Sequence, residues 1–245
     1  MQSFLMRVAD LVVEVNCLFA STAAYCKDYL VTGEPPARTV SIGEADLEGE
    51  RQRLLSKKNP GEMLQASTPQ ALEVLVLCRK IAEFLPYCDR ILFHGSTLAI
   101  DGQGVLFTAK SGTGKSTHTR LWRQVFGDRV RMINDDKPMI HLHEKGCTVY
   151  GNPWNGKHGL GENISAPLKA IFFVTRGEEN MVTPMTSREL FPLLLQQTYT
   201  PDDPAAMQKT LPLVLKLASS VQLYKLQCNM DPDAAETAFR SLNLE

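Results

Sequence analysis

The first 65 residues carry a mixed pattern of hydrophobic and polar positions. β-Prone runs and one helical pattern follow each other, at Phe4–Val8, Leu11–Val15, Leu18–Leu30 and Thr39–Ile42. Ala9-Asp10 separates the first two runs, which is typical of a β-hairpin. A strongly charged stretch then leads to the turn signal Asn59-Pro-Gly. The pattern predicts a small N-terminal α+β appendage over residues 1–65, acting as a lid or on the substrate side.

From residue 66 onward the periodicity becomes sharper. Thr68 is a favourable N-cap, Pro69 suits the first helical position, and the helical spacing of apolar residues continues to Pro86. Further β-prone runs lie at 91–93, 97–100, 105–108, 130–133, 139–142, 147–150 and 168–174. Helical patterns lie at 115–126, 187 onward, 204–219 and 231 onward. We therefore expect an α/β core over residues 66–245, with a mixed sheet, flanking helices and a helical C-terminal part.

Composition and charge argue against nucleic acid and membranes as partners. Lys+Arg number 26 against Asp+Glu 27, a balance without the positive field that attracts nucleic acid. No apolar run approaches the roughly 18 residues that a transmembrane helix needs. The six cysteines include no Cys-x-x-Cys pair, which favours reduced thiols. These features predict a cytoplasmic protein that binds neither nucleic acid nor membranes.

The most informative stretch is Ala109-Lys-Ser-Gly-Thr-Gly-Lys-Ser-Thr. It matches the phosphate-binding loop pattern except that Ala109 replaces the usual first glycine. In such loops backbone N–H groups surround a phosphate, the lysine reaches the β- and γ-phosphate oxygens, and the following hydroxyl binds Mg²⁺. The candidate nucleotide-binding residues are Ser111, Gly112, Thr113, Gly114, Lys115, Ser116 and Thr117.

A second candidate cluster, Asn134-Asp135-Asp136, follows a predicted strand. Adjacent carboxylates repel each other unless a cation or a proton lies between them. Phosphoryl transfer needs acidic groups near the metal and the acceptor hydroxyl, and it commonly uses an arginine against developing charge. Arg176, which directly follows the predicted strand at 168–174, is the candidate for that last role.

Four motifs in this order resemble one family. His94-Gly-Ser-Thr-Leu-Ala-Ile, Gly104-Val-Leu-Phe, Ser111-Gly-Thr-Gly-Lys-Ser and Asn134-Asp-Asp resemble the core of HPr kinase/phosphorylase. Ser-Gly-Thr-Gly-Lys also resembles the phosphate loop of phosphoenolpyruvate carboxykinases. The resemblance covers roughly residues 90–176. It implies a P-loop kinase-like fold, the cofactors ATP and Mg²⁺, and a homo-oligomer.

The resemblance also implies roles for individual residues. Asp135 would be the base that takes the proton from a serine hydroxyl, and Asp136 would lie nearer the Mg²⁺, together with Ser116. His94 would sit beside the site and help to set the protonation of the aspartate. Lys115 and Arg176 complete the candidate catalytic set.

The sequence as a whole predicts an Mg-ATP-dependent phosphotransferase that acts on a hydroxyl, foremost a serine of a small protein or peptide. A small-molecule kinase for an amino acid or sugar hydroxyl and a non-catalytic nucleotide sensor stay open as alternatives. The glycine-rich loop with Trp154 and Lys157 is the candidate clamp for the substrate or its phosphate.

Overall fold

The computed structural model describes residues 2–57, 68–110, 112–156 and 158–243. The chain divides into two units, Met1–Phe84 and Leu85–Glu245. The sequence predicts a domain boundary between residues 65 and 66, whereas the structure groups the helix Pro69–Phe84 with the N-terminal unit.

The first unit is a four-stranded sheet with helices. Its strands are β1 (Gln2–Val8), β2 (Leu11–Cys17), β3 (Leu30–Val31) and β4 (Arg38–Ser41), and its helices are α1 (Ala20–Tyr25), α2 (Glu44–Lys57) and α3 (Pro69–Phe84). The strand order is β3-β1-β2-β4. The predicted hairpin is confirmed: β1 and β2 pair antiparallel, and Ala9 and Asp10 both have positive φ, as a tight two-residue turn requires.

The helix predicted over residues 18–30 is shorter than the pattern indicates. It ends at Tyr25, and Leu30 pairs with Met6 of β1 instead of continuing a helix. Glu73, a fully buried carboxylate of α3, fixes the start of α1 by accepting the N–H groups of Leu18 and Phe19. Tertiary pairing therefore overrides the local helical preference.

The second unit is built on one curled mixed sheet. Its strands are β5 (Arg90–Leu92), β6 (Ser96–Ile100), β7 (Gln103–Thr108), β8 (Val130–Asn134), β9 (Met139–His143), β10 (Gly146–Tyr150), β11 (Ser165–Arg176), β12 (Met181–Pro184) and β13 (Gln222–Cys228). Its helices are α4 (Lys115–Phe126), α5 (Ser187–Gln197), α6 (Pro204–Ser220) and α7 (Asp233–Arg240). The main path is β5-β9-β10-β11-β7-β6-β8, and β13 joins the later half of β11 and pairs with β12.

Strand direction determines which loops meet. β11 runs parallel to both β7 and β13, while β6 is antiparallel to both β7 and β8. Four strands, β7, β8, β11 and β13, therefore point the same way, and their carboxyl ends lie along one edge of the sheet. Open α/β sheets bind ligands at this edge.

Helices and apolar cores flank the sheet. In one core Phe107 stacks on Phe172 of the sheet, and the ring of Trp122 from α4 lies tilted against Phe107. A second core packs Ile171 with Leu194 of α5 and Leu217 of α6. The mixed α/β architecture with flanking helices is thus confirmed for the second unit.

In the part of the chain that is described, no helix combines the length and the apolar character needed to cross a bilayer. All six cysteines are free thiols.

Candidate functional site

The loop between β7 and α4 has the backbone that its glycines predict. Gly112 and Gly114 have φ values of 76° and 122°, which L side chains rarely adopt. A Cβ on either would meet no atom within 4 Å, so conformation rather than space requires glycine. Ala109 is fully buried and does not adopt a positive φ, so alanine is tolerated there. Ser111 lies outside the described residues.

Gly114 is the N-cap of α4, which begins at Lys115. The first turn of a helix presents N–H groups without intrahelical acceptors and carries a partial positive charge. No acidic residue lies in the first turn of α4 to neutralise it. Ser116 is exposed and Thr117 is half-buried, so both hydroxyls lie where an anion or its metal could reach them.

Lys115 connects the loop to the acidic pair. Its Nζ donates to the carbonyl of Ala109 at 3.3 Å. Burial lowers the pKa of Lys115, and the charges of Asp136 and Asp135 oppose that shift. The lysine, which follows β7, is therefore under the electrostatic influence of both predicted carboxylates, which follow β8.

Asp135 is buried, with 7% of its surface exposed. Its Oδ1 accepts the hydroxyl of Ser96 at 2.5 Å, and Ser96 Oγ lies 3.1 Å from Thr119 Oγ1 of α4. Thr119 in turn lies 3.2 Å from the carbonyl of Ser116. This hydroxyl chain fixes one carboxylate oxygen of Asp135 relative to the helix that follows the loop.

Asp136 is more open. The side-chain oxygen of Asn134 accepts the backbone N–H of Asp136 at 2.9 Å and that of Lys137 at 2.7 Å, which shapes the turn after β8. Lys137 Nζ pairs with Asp136 Oδ2 at 3.0 Å, and His94 Nε2 lies 3.7 Å from Asp136 Oδ1. The structure thus places the predicted His94 directly opposite Asp136.

His94 has a defined orientation. Its Nδ1 lies 2.9 Å from Gln197 Oε1, an acceptor, and its backbone N–H donates to the carbonyl of Gln197 at 2.7 Å. Gln197 thus fixes the ring from the side of Nδ1, and Nε2 faces Asp136. Burial and, next, the charge of Lys115 lower the pKa of His94, while Gln197 and Asp136 raise it.

Arg176 lies at the end of β11 beside the loop. Its Nη2 donates to the carbonyl of Gly112 at 2.6 Å and its Nε to that of Thr113 at 3.2 Å. In this arrangement Arg176 supports the loop backbone. Its predicted action on transferred charge stays a prediction.

The glycine-rich loop after β10 packs against the acidic turn. Asn134, fully buried, donates to Asn152 Oδ1 at 3.1 Å, and Asn152 donates to the carbonyl of Lys137 at 2.6 Å. A Cβ on Gly156 would lie 3.4 Å from Asp136 Cβ. Trp154 is buried, and Lys157 of the predicted clamp lies outside the described residues.

Sequence reasoning missed several supporting residues. Ser96 and Asn134 stand inside motifs that the sequence singles out, so their proximity to the site could have been found there. Thr119 and Gln197 carry no such signal: the former is one of many helical threonines, and the latter is separated from His94 by 103 positions. Only the folded chain joins them.

The side chains at the site that could bind a metal offer mainly oxygen atoms. Carboxylate and hydroxyl oxygens are what Mg²⁺ prefers, and Ser116 and Asp136 fit that preference. Within the described residues, no group of three or more His, Cys, Asp and Glu side chains could hold a metal alone. A cation here would need ligands from a bound phosphate, as magnesium usually has.

No protein-family model and no curated protein matches the chain. Among solved structures, the Hpr(Ser) kinase/phosphatase from Coxiella burnetii aligns with 61% of this chain and 94% of its own, at 13% identity and a TM-score of 0.36.

Proposed function

We propose that this protein is an Mg-ATP-dependent phosphotransferase that moves the γ-phosphoryl group to a hydroxyl, with a serine of a small protein or peptide as the acceptor. One observation carries the proposal: Lys115 lies within the electrostatic reach of both Asp135 and Asp136, at the edge where β7 and β8 end. Enzymes of phosphoryl transfer combine a phosphate-binding loop with carboxylates that hold Mg²⁺ and position the acceptor. The motif resemblance over residues 90–176 supports the same reaction.

The residues divide the work by position. The N–H groups at the start of α4 and Lys115 would hold the phosphates, while Ser116 and Asp136 would hold the metal. Bound magnesium would neutralise charge on the transferred group. Asp135 would accept the proton of the acceptor hydroxyl, since Ser96 holds one carboxylate oxygen and leaves the other for the acceptor. His94, whose Nε2 faces Asp136, would orient this cluster.

The test is mass spectrometry of candidate proteins, peptides and metabolites after incubation with the full chain and Mg-ATP. A gain of one phosphate on a serine supports the proposal, and a gain on a free amino acid or sugar would replace it by the small-molecule alternative. Asp135→Asn should reduce transfer by roughly 10²–10⁴-fold. Lys115→Ala should weaken ATP binding by roughly 10- to 100-fold, because it removes charge-assisted hydrogen bonds.

Lys145→Ala is the matched control, since Lys145 is exposed in the turn between β9 and β10. It should leave both phosphoryl transfer and ATP affinity unchanged. Tight ATP binding without any phosphorylated acceptor would favour the nucleotide sensor. Equal ATP affinity in the wild type and Lys115→Ala would refute the phosphate-loop assignment.

A further inference from the structure

Lys137 is a second lysine at the site, and it directly follows the acidic pair. Its Nζ lies 3.0 Å from Asp136 Oδ2, and 39% of its side chain is exposed. The other oxygen of the same carboxylate, Oδ1, lies 3.7 Å from His94 Nε2. Both oxygens of the carboxylate to which the proposed function assigns Mg²⁺ therefore face a nitrogen atom of the protein, and the closer nitrogen belongs to Lys137.

The backbone of Lys137 is held more firmly than its side chain. Its N–H donates to the side-chain oxygen of Asn134 at 2.7 Å, and its carbonyl accepts the side-chain amide of Asn152 at 2.6 Å. Both asparagines are fully buried, and they are hydrogen-bonded to each other at 3.1 Å. The carbonyl of Asp136 accepts the N–H of Gly95 at 3.0 Å. The turn thus fixes where the ammonium group starts from, while the half-exposed side chain can change its rotamer without moving the backbone.

The lysine and aspartate charges at the site balance each other. Asp135 and Asp136 carry two negative charges, and Lys115 and Lys137 carry two positive ones. The charges of both aspartates act on Lys115, and Lys137 pairs with the more open one, Asp136. Adjacent carboxylates repel each other unless a cation lies beside them. Lys137 therefore supplies the outer carboxylate with a cation that belongs to the protein itself.

A carboxylate oxygen that contacts an ammonium group cannot serve Mg²⁺ equally well. Mg²⁺ requires near-octahedral oxygen ligands at about 2.0–2.1 Å, and two cations on one carboxylate repel each other. Lysine suits a contact that has to be broken, because it places a compact charge on a flexible stem and lacks the bidentate fork of arginine. A half-exposed ion pair changes an equilibrium constant by up to about fivefold, which a divalent ion can overcome.

We propose that Lys137 is an internal counter-ion of Asp136 that competes with Mg²⁺: it neutralises the carboxylate when ATP carries no metal, and it is displaced when Mg²⁺ binds with the triphosphate. The inference rests on the proposed function, because it takes Asp136 as a metal ligand. Without Mg²⁺, Lys137 shields the phosphates from the charge of Asp136. With Mg²⁺, the need to displace Lys137 opposes metal binding. Lys137 thereby reduces the dependence of ATP binding on Mg²⁺.

Calorimetry of the full chain with ATP, in saturating Mg²⁺ and again in EDTA, gives the factor by which Mg²⁺ tightens binding. Lys137→Gln should raise this factor about 3- to 5-fold over the wild type, because it weakens binding in EDTA and removes the competitor of the metal. Lys137→Arg restores the charge and should bring the factor to within about twofold of the wild type. Lys145→Gln, the same change at an exposed lysine between β9 and β10, should leave the factor unchanged.

A double-mutant cycle tests whether Lys137 acts through Asp136. Asp136→Asn keeps the size of the side chain and removes its charge, so on this background Lys137→Gln should change the factor by less than about twofold. Three results would each overturn the role of Lys137 and leave the proposed function standing: wild-type binding that is absent in EDTA, no rise of the factor in Lys137→Gln, or an equal rise on both backgrounds. If the wild type binds ATP in neither condition, the proposed function fails and the role of Lys137 with it.

Discussion

At the scale of single residues, the site depends on hydroxyl groups as much as on charges. Asp135 is less exposed than Asp136. Its carboxylate is oriented by Ser96 and, through Ser96, by Thr119. A catalytic group must be held to within a fraction of an ångström, and misplacement by 1 Å can cost about 100-fold in rate. Ser96 therefore acts as a positioning residue for Asp135.

Ser96→Ala should lower phosphoryl transfer roughly 10- to 100-fold while ATP affinity stays within about twofold. The physical reason is that the phosphates do not contact Ser96, whereas the carboxylate loses the group that orients it. Turnover is measured with the acceptor identified by mass spectrometry, and ATP binding by calorimetry.

The neighbouring residue supplies a matched control. Thr97 is fully buried on the same strand, and within the described residues its Oγ1 has no hydrogen-bond partner. Thr97→Val removes a hydroxyl at nearly constant volume and should leave transfer unchanged. Equal losses in Ser96→Ala and Thr97→Val would mean that the strand's packing matters rather than the hydrogen bond to Asp135.

At the scale of elements, the start of α4 depends on two glycine conformations. Gly112 has φ 76°, close to the left-handed region, while Gly114 has φ 122°, further outside what an L side chain adopts. Gly114→Ala should weaken ATP binding more than Gly112→Ala does, since the N-cap must shift and carry the first N–H groups with it. Calorimetry measures both effects.

Gly49→Ala is the control for this pair, because Gly49 lies within α2 and has neither a positive φ nor a close neighbour for its Cβ. That change should leave ATP affinity alone and stabilise the helix by about 0.5–1 kcal/mol. If Gly114→Ala binds ATP as the wild type does, the loop does not hold phosphates in the conformation described.

Local signals explain which elements the sequence predicts well. The hairpin around Ala9-Asp10 and the strand, glycine loop and helix ending at Phe126 are contiguous patterns, and the structure has them. The acidic turn could be predicted for the same reason, since Asn134 bonds within its own turn. The helix expected to reach Leu30 is wrong beyond Tyr25, because pairing with β1 is a long-range effect that periodicity does not report. The contact of Gln197 with His94 could not be predicted for the same reason, since 103 positions separate the two residues.

At the scale of the whole molecule, stability should depend on pH through one buried ring. His118 is buried among Phe107 and Trp122, where its charged form is disfavoured. Its pKa is about 3 in the folded chain against about 6.5 when unfolded. Below pH 6.5 the unfolded state therefore binds the proton first. The stabilisation is complete above about pH 6.5 and is lost as the pH falls toward 3.

The wild type should consequently lose roughly 1 kcal/mol of unfolding free energy per pH unit between pH 6 and pH 4 from this group alone. Trp122 and Trp154, the chain's two tryptophans, both lie in the second unit, so denaturant unfolding followed by tryptophan fluorescence reports on that unit. His118→Gln keeps an acceptor for the Trp122 indole and cannot be protonated, so its slope should be shallower by about that amount. His158→Gln, a change at an exposed position of the same unit, is the control and should retain the wild-type slope. Identical slopes in the wild type and His118→Gln would mean that His118 is not held in the folded chain as a buried neutral ring.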